Sequence, residues 1–287
     1  MFIFPESLYL PITEPIDKIF DWILSNLSEL FDFLTLVIAN MFNIVETGFN
    51  YFPWWLMVIA VGYAGYKLYT WKMGVVLGAM LFAIGMFGLW QMMIYTLAIV
   101  TISVFVSVIV GIPMGIIMAK SKRVEAMLKP ILDAMQTMPS FVYLIPAVML
   151  FGFGRVPAVF ATTIYAIPPL IRLTYLGISS VDEEVVEAGK SFGSTPKQML
   201  FKIELPQSLA TIMTGVNQTT MMAMAMVVIS SMIGADGIGA EVLLSINRLE
   251  VGRGFQAGFA IVFLAIILDR LLQGFANTFD KGVSQDA

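Results

Sequence analysis

The sequence predicts an all-α polytopic membrane protein with about seven transmembrane helices, and two observations carry this prediction. Of the 287 residues, 59% are hydrophobic and 13% are charged, against about 45–50% and about 25% in ordinary soluble domains. Apolar stretches of about 20 residues, the length that crosses a bilayer as a helix, recur between short charged clusters. We therefore expect a multi-pass protein of the cell membrane.

The composition also excludes several kinds of function. The sequence contains neither Cys nor His, which removes disulfides, thiolate metal sites, Cys nucleophiles and the usual general base. The net charge of −4 is small, and no basic patch indicates binding to nucleic acid. We therefore expect a chain that is not an enzyme, holds no metal and no cofactor, and does not bind nucleic acid.

Residues 1–52 are predicted to form an external, interfacial segment. They include seven acidic residues and one lysine, an imbalance that favours the outer face. Between Pro15 and Ala39, apolar residues recur at steps of three and four, and acidic residues and serines fill the other side. This pattern predicts an amphipathic helix on the membrane surface. The alternative is a helix packed on a soluble domain. Because a basic leader is missing, we also expect Met1 to be retained.

Residues 53–89 are predicted to hold peripheral transmembrane helices. The first runs over Pro53–Tyr69, with tryptophans at one interface and lysines at the other. The stretch Met73–Ala119 has no charge over 47 residues, enough for two spans that turn near Trp90-Gln91. Two crossings therefore separate the lysine cluster at Lys72 from the one at Lys120. Both clusters then lie on the same side, and their positive charge makes that side cytoplasmic.

The core of the bundle is predicted for residues 90–275. After the uncharged stretch, its spans are expected at Pro130–Phe153, Pro157–Ile178, Gln207–Ile233 and Phe255–Leu268. A polar outer segment at Gly234–Gly254 precedes the last span, and residues 276–287 form a tail. With seven crossings, the N-terminus lies outside and the C-terminus lies in the cytoplasm.

Prolines fall inside two of the predicted spans, and they indicate kinked or broken helices. They are Pro139 and Pro146 in the fourth span and Pro168-Pro169 in the fifth. Ordinary kinking and a functional role in a rocking helix pair are both open from the sequence.

Polar amides in the sixth span are candidates for lining a transport pathway. Side-chain amides at mid-membrane depth usually face the bundle interior or a wet cavity, and methionine makes an adaptable wall. The candidates are Asn217, Gln218, Met221 and Met224. Ordinary packing of methionine between helices is the alternative.

The charged stretch Val181–Pro206, which we call the island, lies between two long apolar spans. It has four acidic residues before Gly189 and three lysines after it, and each would cost on the order of 2.5–3.5 kcal/mol inside a bilayer. The island therefore lies in water. Its Ala188-Gly189-Lys190-Ser191 run looks like the end of a phosphate-binding loop. That motif needs a glycine where this chain has Glu184, so nucleotide binding is rejected.

The island also carries a spaced motif. It reads Glu187-Ala188-Gly189, three residues, Gly193, nine residues, and Ile203-Glu204-Leu205-Pro206. This resembles the E-A-A-x3-G-x9-I-x-L-P signature of permease subunits of bacterial ABC importers, with Gly189 in place of the second Ala. The neighbouring segments G-S-T-P-K-Q-M-L-F-K-I-E-L-P, G-V-N-Q-T-T, M-V-V-I-S-S-M-I-G and A-I-I-L-D-R-L are similar to the glycine betaine/proline branch of that family.

The resemblance, over about residues 90–275, implies a type I ABC importer permease core with a cytoplasmic coupling loop at residues 180–206. It implies ATP-driven uptake of glycine betaine, proline betaine or a related compatible solute. The expected partners are a second copy of this chain, two cytoplasmic ATPase subunits, an external substrate-binding protein and membrane lipid. Mg-ATP would be held by the ATPase and not by this chain.

The resemblance also implies roles for particular residues. Contact with the ATPase is expected from Glu187, Ala188, Gly189, Lys190, Gly193, Ile203, Leu205 and Pro206. In physical terms, Gly189 and Gly193 allow a close backbone approach and a sharp turn, and Leu205-Pro206 ends the loop and starts the next span. Topology suggests that the binding protein docks at Arg155, Asp236, Glu241 and Arg248.

Two other classes of function remain as alternatives. The first is a secondary transporter or osmotic channel that needs no ATPase. Ion-coupled carriers usually have acidic residues inside the membrane, and Asp133 is the mid-chain candidate. The second is a membrane scaffold or sensor without transport, which the lack of a predicted soluble domain disfavours.

Overall fold

The computed structural model describes residue 10 and residues 12–283, and we find no strand among them. Met1 and the last four residues of the predicted tail lie outside the described residues. In chain order the helices are α1 Thr13–Asn26, α2 Ser28–Tyr51, α3 Trp54–Leu68, α4 Trp71–Met86, α5 Trp90–Lys120, α6 Lys122–Thr137, α7 Leu144–Phe151, α8 Arg155–Ser179, α9 Glu183–Ser191, α10 Pro196–Met199, α11 Leu205–Ser230, α12 Ile238–Arg248 and α13 Val251–Val283. The predicted all-α class is confirmed.

The helices that are able to cross a membrane differ in part from the predicted spans. By length and composition, five described stretches qualify: α2, α5, α8, Pro196–Ile233 and α13, and a sixth forms if α6 and α7 count as one. The predicted spans of residues 53–89 form α3 and α4, with 15 and 16 residues. At 1.5 Å per residue these helices are about 22–24 Å long, short of the roughly 30 Å hydrocarbon layer.

The N-terminal segment forms two helices instead of the single predicted one. The break falls at Leu27, and α2 continues well past Ala39 to Tyr51, with Asn43, Thr47 and Asn50 at helical spacing along one side. Although α2 is long enough to cross a membrane, its contacts lie along one end of the bundle. Phe31 packs edge-on against Phe151 with ring centroids 5.7 Å apart.

Further along α2, the contacts stay at that same end of the bundle. The ring of Phe42 is fully buried and lies 4.8 Å from the ring of Tyr95. Near the end of α2, the amide of Gln91 at the start of α5 donates to the Oδ1 of Asn50 (3.0 Å). This placement agrees with a helix that lies along the membrane surface.

The fourth predicted span, Pro130–Phe153, is bent in the middle and is not one continuous helix. α6 and α7 meet at an angle of 110°, with Met138 and Pro139 extended between them. Proline disfavours helical backbone in the residue before it, and the helix breaks at Pro139, where the charged, amphipathic α6 gives way to the apolar α7. By contrast, α8 continues unbroken through Pro168-Pro169, where both prolines are buried among neighbouring helices.

Small residues bring α5 and α8 into close contact. The Ser103 hydroxyl donates to the carbonyl of Val159 (3.2 Å). Twelve residues further on, Gly115 lies so close to Thr174 that a Cβ atom on the glycine would be 2.5 Å from the threonine Cβ. The two helices therefore run in the same direction, with backbones at the distance that small-residue pairs allow in membrane bundles.

The helix α11 packs against the same α8 in the opposite direction. Gly177 near the end of α8 faces Ser208 near the start of α11, and the Gly154 N–H before α8 donates to the carbonyl of Ile233 after α11 (2.9 Å). We call the end of the bundle that carries Lys120 and the start of α11 the island end, and the other the opposite end.

Close packing predicts a sharp difference between two glycines in membrane helices. A Cβ at Gly115 would lie 2.5 Å from the Thr174 Cβ and 2.8 Å from the Ile171 carbonyl oxygen, whereas Gly258 in α13 has nothing within 4 Å. We expect Gly115→Ala to lower the free energy of unfolding by roughly 1–3 kcal/mol, as overpacking does. Gly258→Ala should leave it unchanged or raise it by up to about 1 kcal/mol, because alanine favours a helix over glycine. Thermal unfolding of the detergent-solubilised protein measures both, and equal melting temperatures would contradict this packing.

Candidate functional site

The first half of the island forms α9 because its charges match the needs of a short helix. The Asp182 side chain caps the helix by accepting a hydrogen bond from the Glu184 N–H (3.0 Å). Acidic residues occupy the first turn and Lys190 the last, where each sign of charge is favoured by the helix dipole. Glu187, Ala188 and Lys190 are exposed on α9.

Gly193 ends α9 in the sharp turn that the sequence predicts. Its φ of +76° lies in the left-handed region, which costs glycine little and other residues more. The Ser194 N–H donates to the Gly189 carbonyl (3.1 Å) and the Gly193 N–H to the Lys190 carbonyl (2.9 Å), which together make a Schellman cap. The chain is thereby turned back towards α9.

The second half of the island runs without interruption into α11, contrary to the prediction that Leu205-Pro206 ends the loop. α10 begins with a capping box between Thr195 and Gln198, and residues Leu200–Glu204 form a π-helical turn that leads into α11. Proline in a helix removes one hydrogen bond and clashes with the carbonyl four residues before it. A wider turn before Pro206 relieves this clash, so the helix is widened and not broken.

The two halves of the island are packed together at Gly189. This glycine is buried, and a Cβ on it would lie 2.8 Å from both the Ile203 Cδ1 and the Met199 Cε atoms. Side chains of Met199 and Ile203 therefore pack directly against the backbone of α9 at Gly189. α9 and the start of α11 form one packed unit.

The island is also tied to α5 by an ion pair that the sequence analysis missed. The Glu204 carboxylate, in a residue that is 5% exposed, lies 2.6 and 2.5 Å by its two oxygens from the Lys120 Nζ atom. The sequence did hold a signal, because a carboxylate at the start of an apolar helix must be paired when it is buried.

Two aromatic side chains stand out from the island, and the sequence analysis missed these as well. Phe192 is 92% exposed and Phe201 is 65% exposed. Large apolar side chains in a water-exposed, charged segment mark a contact surface. Phe192 directly follows α9, so it extends the exposed side of that helix.

The candidate pathway residues fall on different sides of α11. The Asn217 amide donates to the Asp269 Oδ1 atom in α13 (2.8 Å), and Gln218 is exposed. Met221 is half-buried. Met224 is 3% exposed and belongs to the core.

The candidate docking residues lie at the opposite end, and they have different surroundings. Arg155 sits over the ring of Phe42 at 5.0 Å. The buried Glu241 carboxylate accepts two hydrogen bonds from Arg253 (2.6 and 3.0 Å), which holds α12 to α13. Asp236 and Arg248 are exposed.

Acidic residues elsewhere in the described part of the chain do not gather into a metal site. We find no group of three or more Asp or Glu side chains there that could hold a metal ion. Asp133, the candidate for ion coupling, is paired with Arg172 of α8.

A bundle of packed apolar helices with a charged, helically folded island defines a polytopic membrane protein, and comparison with known proteins gives its class. Residues 111–285 match the family described as the binding-protein-dependent transport system inner membrane component. The chain belongs to this family, and it is a multi-pass membrane protein.

Named relatives cover most of the chain. The glycine betaine/carnitine transport permease protein GbuB of Listeria monocytogenes is 44% identical over 275 residues, which is 94% of this chain and 97% of the relative. The glycine betaine/proline betaine transport system permease protein ProW of Escherichia coli is 42% identical over 264 residues, 92% of this chain and 75% of the relative. OpuAB of Bacillus subtilis, a glycine betaine transport system permease protein, is 42% identical over 266 residues, which is 92% of this chain and 94% of the relative.

Solved structures support the fold. A chain of the MetNI methionine ABC transporter in an inward-facing conformation superposes with a TM-score of 0.56 at 20% identity. The match covers 66% of this chain and 93% of that one. The ABC importer permease fold is thus shown for the greater part of the chain.

The packing at Gly189 predicts a graded response to side-chain size. A Cβ there meets only the flexible tips of Ile203 and Met199, which are able to shift. We expect Gly189→Ala to change the free energy of unfolding by less than about 1 kcal/mol, and Gly189→Leu to cost roughly 1–3 kcal/mol by forcing α9 away from the turn. Solute uptake in vesicles should follow the same order. A leucine variant with unchanged stability and uptake would contradict the packing.

Proposed function

We propose that this chain is the membrane-spanning permease subunit of an ATP-driven importer for glycine betaine, proline betaine or a related compatible solute. The relatives with 42–44% identity are named as permeases for such solutes. The observation that carries the mechanism is the exposed surface of α9, which packs through Gly189 onto the turn that leads into α11. An import permease needs such a surface to receive movement from outside the membrane.

The partner at the island is a cytoplasmic ATPase, with one subunit on each of two copies of this chain. The surface offered to the ATPase is the exposed side of α9, with charged groups on Glu187 and Lys190 and the small Ala188 between them. The exposed aromatic ring of Phe192 lies beside it. Buried aromatic anchors ringed by polar contacts dominate the binding energy of many interfaces. Mg-ATP binds to the ATPase, and closure of the ATPase subunits pushes on α9.

The orientation follows from basic residues at the island end. Lysines and arginines cluster there at Lys67, Lys72, Lys120, Lys122 and Arg123, which favours the cytoplasmic side. The described residues 12–52 include six acidic residues, and α2 packs at the opposite end, which is then the outer one. The chain is then divided into an outer segment at 1–52, peripheral helices at 53–89, a permease core at 90–275 and a cytoplasmic tail. The coupling loop at 180–206 lies within the core.

The solute pathway runs along the surface where two copies of the chain meet. Residues at helical spacing along α11 form a stripe that is exposed or half-exposed in a single chain. Its members are Gln207, Thr211, Thr214, Gln218, Met221 and Ala225. Polar groups on such a stripe are costly against lipid, so a second copy and a wet pathway cover it. Met224 lies on the buried side of α11 and is left out of this proposal.

An external binding protein delivers the solute at the opposite end. The family description itself names dependence on a binding protein. Asp236 and Arg248 are exposed there, and Arg155 lies nearby, stacked on Phe42. Glu241 supports this surface from below through its bonds to Arg253.

The comparisons do not favour a secondary transporter or an osmotic channel. The chain belongs to a family of components of binding-protein-dependent systems. Asp133, the acidic residue on which ion coupling would depend, is held in an ion pair with Arg172.

Charge reversal on the island tests the coupling role. We expect Glu187→Lys and Gly193→Asp to leave the protein inserted in the membrane. Both should lower ATP-dependent uptake in vesicles at least about five-fold, the smallest effect typical of coupling between two sites. Glu187→Lys reverses a charge on the surface of α9 that contacts the ATPase. Gly193→Asp strains a turn whose backbone is left-handed. Uptake of radiolabelled glycine betaine by the reconstituted transporter is the measurement.

A matched control and a clear failure accompany this test. Asp21→Lys reverses an exposed charge on α1, far from the island, and should leave uptake unchanged. Undiminished uptake in both island variants would contradict the coupling role. Uptake by the chain reconstituted without an ATPase would instead favour a channel.

A further inference from the structure

We propose that the Lys120–Glu204 ion pair is the joint that makes α5 move with α11 when the island is pushed, so that both residues are positioning residues for transport. This inference rests on the coupling role proposed above for the island. It adds a specific route from the island into the bundle and names the two side chains on which that route depends.

Three consecutive residues make three different connections at this point. Ile203 packs against Gly189 and so contacts α9. Glu204 pairs with Lys120, the last residue of α5. Leu205 begins α11. A displacement of α9 therefore reaches both α5 and α11 within a segment of three residues.

The ion pair is held closed by burial. The Glu204 side chain is 7% exposed, whereas that of Lys120 is 45% exposed. A buried carboxylate that loses its cation is left without water or charge to compensate it, which is far more costly than separating a surface pair. Lys120 is also favoured where it stands, because a positive charge at the C-terminal end of a helix complements the helix dipole.

The surrounding helix fixes the Glu204 backbone as well as its side chain. The Ser208 hydroxyl donates to the Glu204 carbonyl (2.6 Å). The Leu205 N–H donates to the Leu200 carbonyl across the π-helical turn. Such turns are uncommon and recur at functional sites. Here the turn aims Glu204 towards α5 without interrupting the helix that continues into the membrane.

The ion pair matters because most of the other contacts that connect α5 with α11 run through α8. Glycines bring α8 close to α5 at Gly115 and close to α11 at Gly177 and Gly215. Among the ion pairs of the described residues, Lys120–Glu204 links α5 directly to the island. Without it, a push on the island would reach α5 only through the helix–helix packing and not through a direct link. ATP would then be hydrolysed with less solute transported.

The test is the ratio of solute imported to ATP hydrolysed, measured in vesicles with the complete transporter and its binding protein. In Glu204→Gln, the freed Lys120 is able to turn to water, so the fold should persist while the joint is lost. We expect the ratio to fall at least about five-fold, with hydrolysis continuing. Lys120→Arg, which keeps the charge, should retain the parental ratio.

A charge swap distinguishes the joint from a merely structural contact. The double variant Lys120→Glu/Glu204→Lys restores opposite charges, and we expect its ratio to exceed that of Glu204→Gln clearly. As a matched control, Lys122→Met removes an exposed lysine two residues from Lys120 and should leave the ratio unchanged.

Two results would overturn the inference. One is a parental ratio in Glu204→Gln with a normal amount of assembled complex. The other is a swap variant that assembles normally and yet stays as uncoupled as Glu204→Gln. In either case, if Glu187→Lys still lowers uptake, the coupling role of the island stands and only the joint is rejected. If Glu204→Gln does not assemble, the swap variant decides alone.

Discussion

The bundle is held together at its island end by one short segment, Ile203–Leu205, on which the mechanical account depends. Ile203 fills the space beside the absent side chain of Gly189, and the buried Glu204 carboxylate lies against Lys120. Opening either contact would leave a void or an unpaired buried charge, and both are costly. A push on α9 is therefore delivered to helices of the bundle, whereas a flexible loop would absorb it.

The rest of the fold keeps that movement from dissipating. Glycines at Gly115, Gly177 and Gly215 let α5, α8 and α11 pack at backbone distance, and close-packed interiors transmit displacement because they have little room to deform. The peripheral α3 and α4, and the N-terminal α2, expose much more of their surface. The chain thus combines a tight three-helix centre with elements that face lipid or the membrane surface.

Local chemistry could be predicted from the sequence, and long-range pairing could not. The membrane class, the water-exposed island and the turn at Gly193 follow from charge, length and the conformational freedom of glycine. The Lys120–Glu204 pair joins residues 84 positions apart, which no local pattern specifies. Proline was ambiguous for the same reason: the chain bends at Pro139 and not at Pro168, because buried neighbours hold α8 in place. The full length of α2 was missed although the sequence held a signal for it, because Asn43, Thr47 and Asn50 continue a polar side at helical spacing beyond Ala39.

The most direct test of the central claim is a distance measurement between the island and the ends of α5 and α11. Because the chain contains no cysteine, spin labels placed on introduced cysteines report without background, and dilution with unlabelled chain isolates distances within one copy. Labels at the exposed positions Glu183 and Ile117 span α9 and α5, and labels at Glu183 and Gln207 span α9 and α11. The account predicts that both distances stay the same when the complete transporter binds ATP. A change of several ångströms in the Glu183–Ile117 distance, with the Glu183–Gln207 distance constant, would contradict it.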